Sequence, residues 1–391
     1  MVRGSIWYIS DCYQPEIPEI LCSAVDRDHG YASFCSIKQI LPSSAKYSLQ
    51  HNFGVEVTDM LNMDTGLAFG RLNPYNFYHT LFEDLIPIHQ ILKEDEYLSD
   101  WLSDYPKNSS LILFQDHNYG FSFSHDKLWS RFFPNVTYVV TPPKDAMEEA
   151  HWRASLKAYR VKYLVAGSNN SCAHYFHCSR GEYTDPYAVS DFRRFVFEKV
   201  GVTPRSSRDH NSAKVTIIRG SSRKIRNIDD IVGVVAHIRG ETPDIVDLEK
   251  LSLDDQIKRI HDTDILIMMH GAAIAHLMFM AEYATIFEFF PFGWPLEFRG
   301  LENWVRFSLP DVPIRLHQFD IRDPRHMYYG HDHPLPLCVC DTSSRDKWYA
   351  CASELYFKLS SFEVDITRFE EHLSVASNHW DVRHPIVPAF N

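Results

Sequence analysis

The sequence predicts an α/β protein of two domains, each built on a parallel sheet covered by helices. Three observations carry this. Short apolar runs of strand length recur along the chain and alternate with polar or amphipathic stretches of helix length. The clearest of them, Ile265–Met269, is apolar without alternation, as a strand buried on both faces of a parallel sheet is. A polar, proline-containing, unpatterned stretch, TPRSSRDHNSA at 203–213, separates an earlier strand–helix series from a later one and reads as a linker. At 391 residues and 45% hydrophobic composition, the chain is long enough for two separate cores.

Charge and composition narrow the function. The formal net charge is −12, which argues against nucleic acid as a partner over the bulk surface. No apolar run approaches the length of a membrane span, and no charged-then-apolar signal segment opens the chain. The eight cysteines, Cys12, Cys22, Cys35, Cys172, Cys178, Cys338, Cys340 and Cys351, form no pair with zinc-ligand spacing and leave the disulfide pattern open. Glycosylation sequons at Asn108, Asn135 and Asn169 lean slightly toward a secretory compartment.

Residues 1 to about 70 hold short strand-like runs, such as Ile6–Ile9 and Val55–Val57, and no motif. RLNPYNFYHTLFEDLIPIHQIL, at 71–92, reads as a helix. Asn73 is its cap and Pro74 its first helical residue. Asn76, His79 and Glu83 share a stripe, with Asp84 at its flank, while Phe77, Leu81, Leu85 and Ile88 lie on the apolar side. Pro87 is expected to kink or end the helix. The polar stripe offers proton-transfer groups, and equally reads as the ordinary face of a surface helix. Strands follow at Leu111–Gln115, Tyr138–Val140 and Tyr163–Ala166, with helical segments at Ser124–Phe132 and Asp185–Val200.

After the linker, Val215–Ile218 is a strand followed at once by RGSSRKIR. Arg219, Arg223, Lys224 and Arg226 so close behind a strand, in an acidic chain, suit a diphosphate, because the guanidinium fork matches phosphate oxygens. A solvated basic loop is the plain alternative. Helices are expected at Asp229–Arg239 and Asp254–His261. DILIMMHGAAIAHLMFMAEYATIFEFFP, at 264–291, is a strand–turn–helix–strand unit. Its first strand ends at His270, Gly271 with Ala272 and Ala273 makes a tight turn, and an apolar helix is expected over Ile274–Ala281. Such a unit presents the turn and the helix N-terminus to a ligand at the carboxyl edge of the sheet. Glu288, near the end of the second strand, suits a ribose diol. Residues 292–345 are aromatic, proline-rich and irregular, and their His326, His331, Asp332, His333, Cys338 and Cys340 match no zinc spacing. Trp348–Leu359 and Asp365–Leu373 read as helices.

Three of these pieces, NPYNFYHTLFEDLIP, the strand with RGSSRKIRN, and MMHGAAIAHLMFM with IFEFFP, stand in the order of one enzyme family. The chain resembles the glycosyltransferases that include the EGF-domain-specific O-GlcNAc transferase, plant xylosyl- and arabinosyltransferases, and the protein O-linked-mannose β-1,4-N-acetylglucosaminyltransferase. The texture is nearest the last of these, whose C-terminal region is similar to WYACASELYFKLSSFEVDI at 348–366. The resemblance covers roughly residues 65–375. It implies the GT-B architecture, two Rossmann-like domains facing each other, with boundaries at 1–202 (acceptor side), 214–345 (nucleotide sugar) and 346–391, whose helices are candidates to cross back to the N-terminal domain. It implies inversion at the sugar carbon, no obligatory metal or cofactor, and a membrane-anchored enzyme of the endoplasmic reticulum or Golgi. Either an anchor lies outside this sequence or the targeting differs.

Carried over by position, Arg219 and Arg223 match the family's diphosphate-binding cations and Asn227 its following asparagine. His270, Gly271 and Ala272 match the donor-site turn, Glu288 the carboxylate before Phe-Phe-Pro, and His79 and Asp84 the acceptor-side helix, with Asn73, Asn76 and Glu83 beside them. Gly-Ala-Ala replaces the more usual Gly-Ala-Gln or Gly-Ala-Gly. The expected reaction is displacement at the anomeric carbon of UDP-GlcNAc by a hydroxyl of an O-mannose or a Ser/Thr side chain, with His79 or Asp84 as base. Transfer of xylose or arabinose to a glycan, and a non-catalytic nucleotide-sugar-binding protein, are the alternatives.

Overall fold

The computed structural model describes residues 60–71, 76–96, 98–102, 110–116, 126–133, 136–140, 158–166, 187–208, 212–220, 224–292, 313–329, 333–334 and 360–378. The chain divides by its internal contacts into two units, Met1–Ala188 and Val189–Asn391.

The first unit is organised on a parallel sheet. Its strands are β1 (Met60–Arg71), β2 (Ser110–Asp116), β3 (Val136–Val140) and β4 (Ala158–Ala166), in the order β3-β2-β1-β4. This is the first half of a doubly wound order, in which the chain leaves the first strand toward one side and later returns on the other. The central strand, β1, had no sequence signal. Asn62, Asp64, Gly66 and Gly70 interrupt its apolar residues, so neither alternation nor a continuous run marks it. Tertiary partners pay for those interruptions: Thr65 is buried and accepts a hydrogen bond from Trp101 Nε1 at 2.9 Å.

The helical stretch after β1 begins later than its sequence suggests. The cap is Asn76, whose backbone is extended (φ −100°, ψ 116°) and whose side-chain oxygen accepts from Tyr78 N–H at 3.0 Å. Asn76 therefore stands at the helix entrance and not on a helical stripe. Asn73 and Pro74 lie outside the described residues. A short α1 (Phe77–His79) runs into a π-helical turn (Thr80–Leu85) and then into α2 (Ile86–Glu94). Pro87 neither ends nor breaks this run. It sits in the first turn of α2, where a missing N–H and a fixed φ are tolerated. Leu81, Phe82, Leu85, Ile88 and Leu92 are buried, as is Trp129 on α3 (Asp126–Phe132).

The second unit carries the helices α4 (Ala188–Val200), α5 (Ile228–Arg239) and α6 (Leu253–His261) and a five-stranded parallel sheet: β5 (Val215–Ile218), β6 (Asp244–Val246), β7 (Ile265–Met269), β8 (Thr285–Phe290) and β9 (Arg315–Asp320), in the order β6-β5-β7-β8-β9. The side chains of a strand alternate between faces. On one face Ile265, Ile267, Met269, Phe287, Phe289 and Phe319 form a core with Ile231 and Val235 of α5 (Ile228–Arg239) and Phe369 and Leu373 of α7 (Ile366–Asn378). The other face carries Leu266, Met268, Ile286, Glu288, Leu316 and Gln318. Both faces are buried, which is why Ile265–Met269 shows no polar alternation. Gly240 ends α5 at φ 73°, a left-handed conformation that glycine adopts without strain.

Four sequence expectations are revised here. Residues Ala272–Phe279 form a 3-10 helix, not the α-helix expected over Ile274–Ala281. Ile274 through Phe279 are all buried, and the first turn closes by Ile274 N–H donating to Gly271 O at 3.0 Å. The stretch 292–345, read as irregular, contributes the edge strand β9 and the small strands β10 (Met327–Tyr329) and β11 (His333–Pro334); β10 pairs antiparallel with β11 on one side and with β12 (Ser360–Phe362) on the other. The 203–213 stretch is tied down where it is described: Ser207 N–H donates to Glu282 O at 2.7 Å and Glu282 N–H to Arg205 O at 3.0 Å. Finally, α7, one of the C-terminal helices read as candidates to cross back to the N-terminal domain, packs on α5 within the second unit. Residues 348–359 lie outside the described residues.

Candidate functional site

In the second unit the strand order sets the site. From β5 the chain crosses through α5 to β6 on one side. From β7 it continues to β8 and β9 on the other. The crevice between β5 and β7, at their carboxyl ends, is the topological switch point where open α/β sheets bind ligands. Register pairs Ile217 with Ile267, so Arg219 and His270 leave the same edge on neighbouring strands. They stand 51 residues apart in sequence and only the strand order brings them together.

Arg219 is exposed, and its backbone N–H donates to Val246 O at 2.8 Å, which continues the β5–β6 pairing by one bond. No carboxylate among the described residues pairs with its guanidinium. Arg223 lies outside the described residues. The far end of this cationic loop is anchored. Ile225 bridges to Phe362, Arg226 stacks over Tyr328 at 4.0 Å, and Arg226 N–H donates to Phe362 O at 2.8 Å. Asn227 was expected at the donor. Its amide instead binds Val364 at both ends, donating to Val364 O and accepting from Val364 N–H, each at 2.9 Å.

His270 is built into the sheet edge. Its backbone N–H donates to Phe289 O at 2.8 Å, and its ring stacks on Phe290 with centroids 4.9 Å apart and planes at 23°. Glu288 lies on the same face and is fully buried. A carboxylate oxygen only accepts, so His270 Nδ1 carries the proton and donates to Glu288 Oε1 at 2.7 Å. The other oxygen, Oε2, accepts from Gln318 Nε2 at 3.0 Å. Both oxygens of Glu288 are thus engaged inside the protein, where the sequence reading had the carboxylate meeting a ribose. Gly271 follows in extended conformation and opens the 3-10 helix at Ala272. Within that helix His276 is buried and donates to Gln256 Oε1 at 2.9 Å; burial lowers its pKa from 6.5 to about 4.

Sequence reasoning missed Gln318. It lies in a stretch without strand signal, and only the β8–β9 register, Glu288 opposite Gln318, puts the amide beside the carboxylate.

In the first unit, β1 leads to the helical stretch at the carboxyl edge, next to the switch point between β1 and β4. Asp84 is buried, 2% exposed, within the π-helical turn. The backbone of His79 and Glu83 is described and their side chains are not. The π winding changes the expected stripe. Its hydrogen bonds run from i to i+5, so it turns less per residue than an α-helix and brings position 84 round toward position 79. Such single π turns are frequent at functional sites. Among the described residues no group of three or more metal-ligating side chains gathers, and His326 lies 3.3 Å from Glu363.

The family model described as Glycosyltransferase 61 matches residues 77–287, more than half of the chain. The EGF domain-specific O-linked N-acetylglucosamine transferase of Mus musculus is 33% identical over 103 residues, 25% of this chain and 19% of that protein. The Gallus gallus protein of the same name is 30% identical over 103 residues, again 25% of this chain and 19% of the relative. The protein O-linked-mannose beta-1,4-N-acetylglucosaminyltransferase 2 of Xenopus tropicalis is 24% identical over 238 residues, 59% of this chain and 38% of that protein. This chain therefore spans between a fifth and two fifths of the length of these relatives.

Proposed function

The chain belongs to the glycosyltransferase 61 family, and from that membership we propose that it is an inverting glycosyltransferase moving GlcNAc from UDP-GlcNAc to a protein-linked hydroxyl, on O-mannose or on Ser/Thr. The observation that carries this reading is the pair Arg219 and His270 on neighbouring strand ends at a topological switch point. The names of the relatives, all N-acetylglucosaminyltransferases of protein-linked acceptors, support the donor and acceptor class.

In the proposed reaction the acceptor hydroxyl oxygen attacks the anomeric carbon as a base takes its proton. The carbon–oxygen bond to the diphosphate breaks, and UDP leaves with negative charge on its terminal phosphate. Arg219, Arg223 and the N–H groups that open the 3-10 helix after Gly271 stabilise that charge. His270 meets the donor through Nε2, since Nδ1 is committed to Glu288. Glu288 then serves the donor through His270, and Asn227 by fixing the end of the cationic loop on Val364. His79 and Asp84 are the base candidates, with Asn73, Asn76 and Glu83 on the acceptor side. In this reading the two units are the Rossmann-like halves of a GT-B enzyme, with the nucleotide sugar assigned to the second, no metal is required, and the enzyme works in the lumen of the endoplasmic reticulum or Golgi. Among the described residues, no helix is long and apolar enough to cross a membrane.

A screen of UDP-sugars by thermal shift, followed by UDP release with an O-mannosyl peptide, tests the proposal. UDP-GlcNAc is expected to stabilise most, because a bound ligand raises stability by mass action. Greater stabilisation by UDP-xylose or UDP-arabinose moves the assignment to pentosyl transfer, and binding without release under any acceptor makes the protein a binder only. For the base, Asp84→Asn and His79→Ala are each measured for turnover and UDP affinity. Loss of about 10²–10⁴-fold in rate at unchanged affinity identifies the residue.

A further inference from the structure

We propose that Gln318 is a positioning residue for His270, acting through Glu288, an inference that rests on the donor-side reading of His270. The three side chains are contributed by three consecutive strand positions of the sheet: the end of β7, the body of β8 and the body of β9. Their order in space follows from register and parity. Met268 pairs with Glu288 and Glu288 with Gln318, so Glu288 and Gln318 are side by side on one face. His270 is two residues beyond Met268, on the same face and diagonal to Glu288, within reach of a long side chain. Phe287, Phe289 and Phe319 fill the opposite face with α5 and α7.

A fully buried carboxylate is costly unless every oxygen is hydrogen-bonded. In this face Glu288 is 0% exposed and Gln318 7% exposed. Among the described residues, the neighbours on this face that carry polar atoms within bonding distance of the carboxylate are His270 and Gln318. Gln318 therefore fixes the carboxyl plane by holding Oε2, and the fixed plane aims Oε1 at Nδ1. Stacking on Phe290 sets the tilt of the imidazole, and Oε1 sets its rotation and its tautomer. An apolar side chain at 318 leaves Oε2 unpaired in the interior. The carboxylate then turns to find another donor, and the imidazole is released to either tautomer. The relation is that of an outer-sphere carboxylate orienting a ligating histidine, with one further residue behind it.

Four variants test this: Gln318→Leu, Gln318→Met, His270→Ala and the double variant of Gln318→Leu with His270→Ala. The first readout is the imidazole ¹⁵N spectrum of the protein without ligand, the His270 signal being the one absent in His270→Ala. The native protein is expected to show a single Nδ1–H tautomer, and Gln318→Leu a mixture. The second readout is UDP affinity by calorimetry. Gln318→Leu is expected to weaken it about tenfold, the low end for loss of an outer partner, and to add nothing in the His270→Ala background, because the two act as one unit. A Gln318→Met variant, similar in length and equally unable to donate, is expected to match Gln318→Leu; a well-folded Met variant with native tautomer and affinity overturns the proposal. So does an unchanged tautomer in a folded Gln318→Leu protein, or additive losses in the double variant. If the tautomer responds while UDP affinity is native in both Gln318→Leu and His270→Ala, the positioning stands and the donor-side assignment of His270 falls.

Discussion

The two ends of the second unit's sheet use charge in opposite ways. At the amino end, Asp264 enters β7 with 0% exposure and is saturated. It accepts from Arg205 Nη1 at 2.8 Å, Arg208 Nη1 at 2.6 Å, Arg208 N–H at 3.0 Å and Lys214 N–H at 2.9 Å. Asp262 beside it pairs with Arg208 and Lys214. Arg205, Arg208 and Lys214 each have an internal carboxylate partner, and the result is to fasten the 203–214 segment to the sheet. At the carboxyl end, Arg219 is exposed on an anchored loop with no carboxylate partner among the described residues, and His270 is held by the back of its ring. Charge that is neutralised inside the fold braces it. Charge that is positioned and exposed, as on Arg219, is available to a ligand. The same residue type, arginine after or before a strand, has a structural or a functional reading depending on which end of the sheet it occupies.

Substitutions at the two ends should separate stability from binding. The largest expected effect is that of Asp264→Ala, which leaves Arg205 and Arg208 facing an empty site. Breaking one side of a buried ion pair costs about 3–5 kcal/mol, read as a fall in melting temperature or denaturant midpoint. UDP affinity of the folded fraction should stay native; a selective loss of affinity at native stability would erase the contrast between the ends. Next is Arg219→Ala, expected to weaken UDP binding by about 1.5–3 kcal/mol, the range for hydrogen bonds to charged groups, with the melting temperature unmoved. Calorimetry showing native affinity would remove Arg219 from the diphosphate site.

Acid should distinguish the ends as well. Burial lowers the His276 pKa from 6.5 to about 4, so the folded state resists its protonation. The stability that neutral His276 contributes is full above pH 6.5 and is lost as pH falls from there toward 4, by roughly 1 kcal/mol at pH 5.5. Asp262 has the same sign but acts in stronger acid. Partial burial raises its pKa, but hydrogen bonds from Lys214 and Arg208 outweigh that and hold it below the ordinary 3.8, so its contribution persists above that value and fades only in stronger acid. Hydrogen exchange at pH 7 and pH 5.5 should therefore show protection falling over Ala272–Phe279 before it falls over residues 205–208. The reverse order would contradict the assignment of neutral His276 to the folded state.

The smallest effect belongs to Asp262→Asn. The side chain is 41% exposed, and pairs of this kind contribute about 0.2–1 kcal/mol. A shift in midpoint that shrinks further with added salt is expected. A loss as large as that of Asp264→Ala would mean that the network acts as one buried unit.

Much of this was legible in the sequence. Ile265–Met269 with His270 and Gly271, the strand Thr285–Phe290 stopped by Pro291 and the cationic loop behind Val215–Ile218 are all signalled by local means: an apolar run, a breaker, a cluster of like charges. Those signals place Arg219 and His270 at strand ends, because a strand's length and its terminating residue are encoded within a few neighbours. What they leave open was decided by tertiary structure. Strand order put β5 beside β7 and made a shared edge of Arg219 and His270, 51 residues apart. Parity and register turned Glu288 inward to His270 and brought Gln318 from a stretch that carries no strand pattern. Long-range packing accepted the glycine-broken β1 as a central strand, wound Thr80–Leu85 as a π turn, and drew a polar segment onto Asp264. Local periodicity reports the backbone conformation and the burial of each segment. Which segments pair, and which side chains then meet, depends on the free energy of contacts between residues far apart in the chain, and no local pattern contains that term.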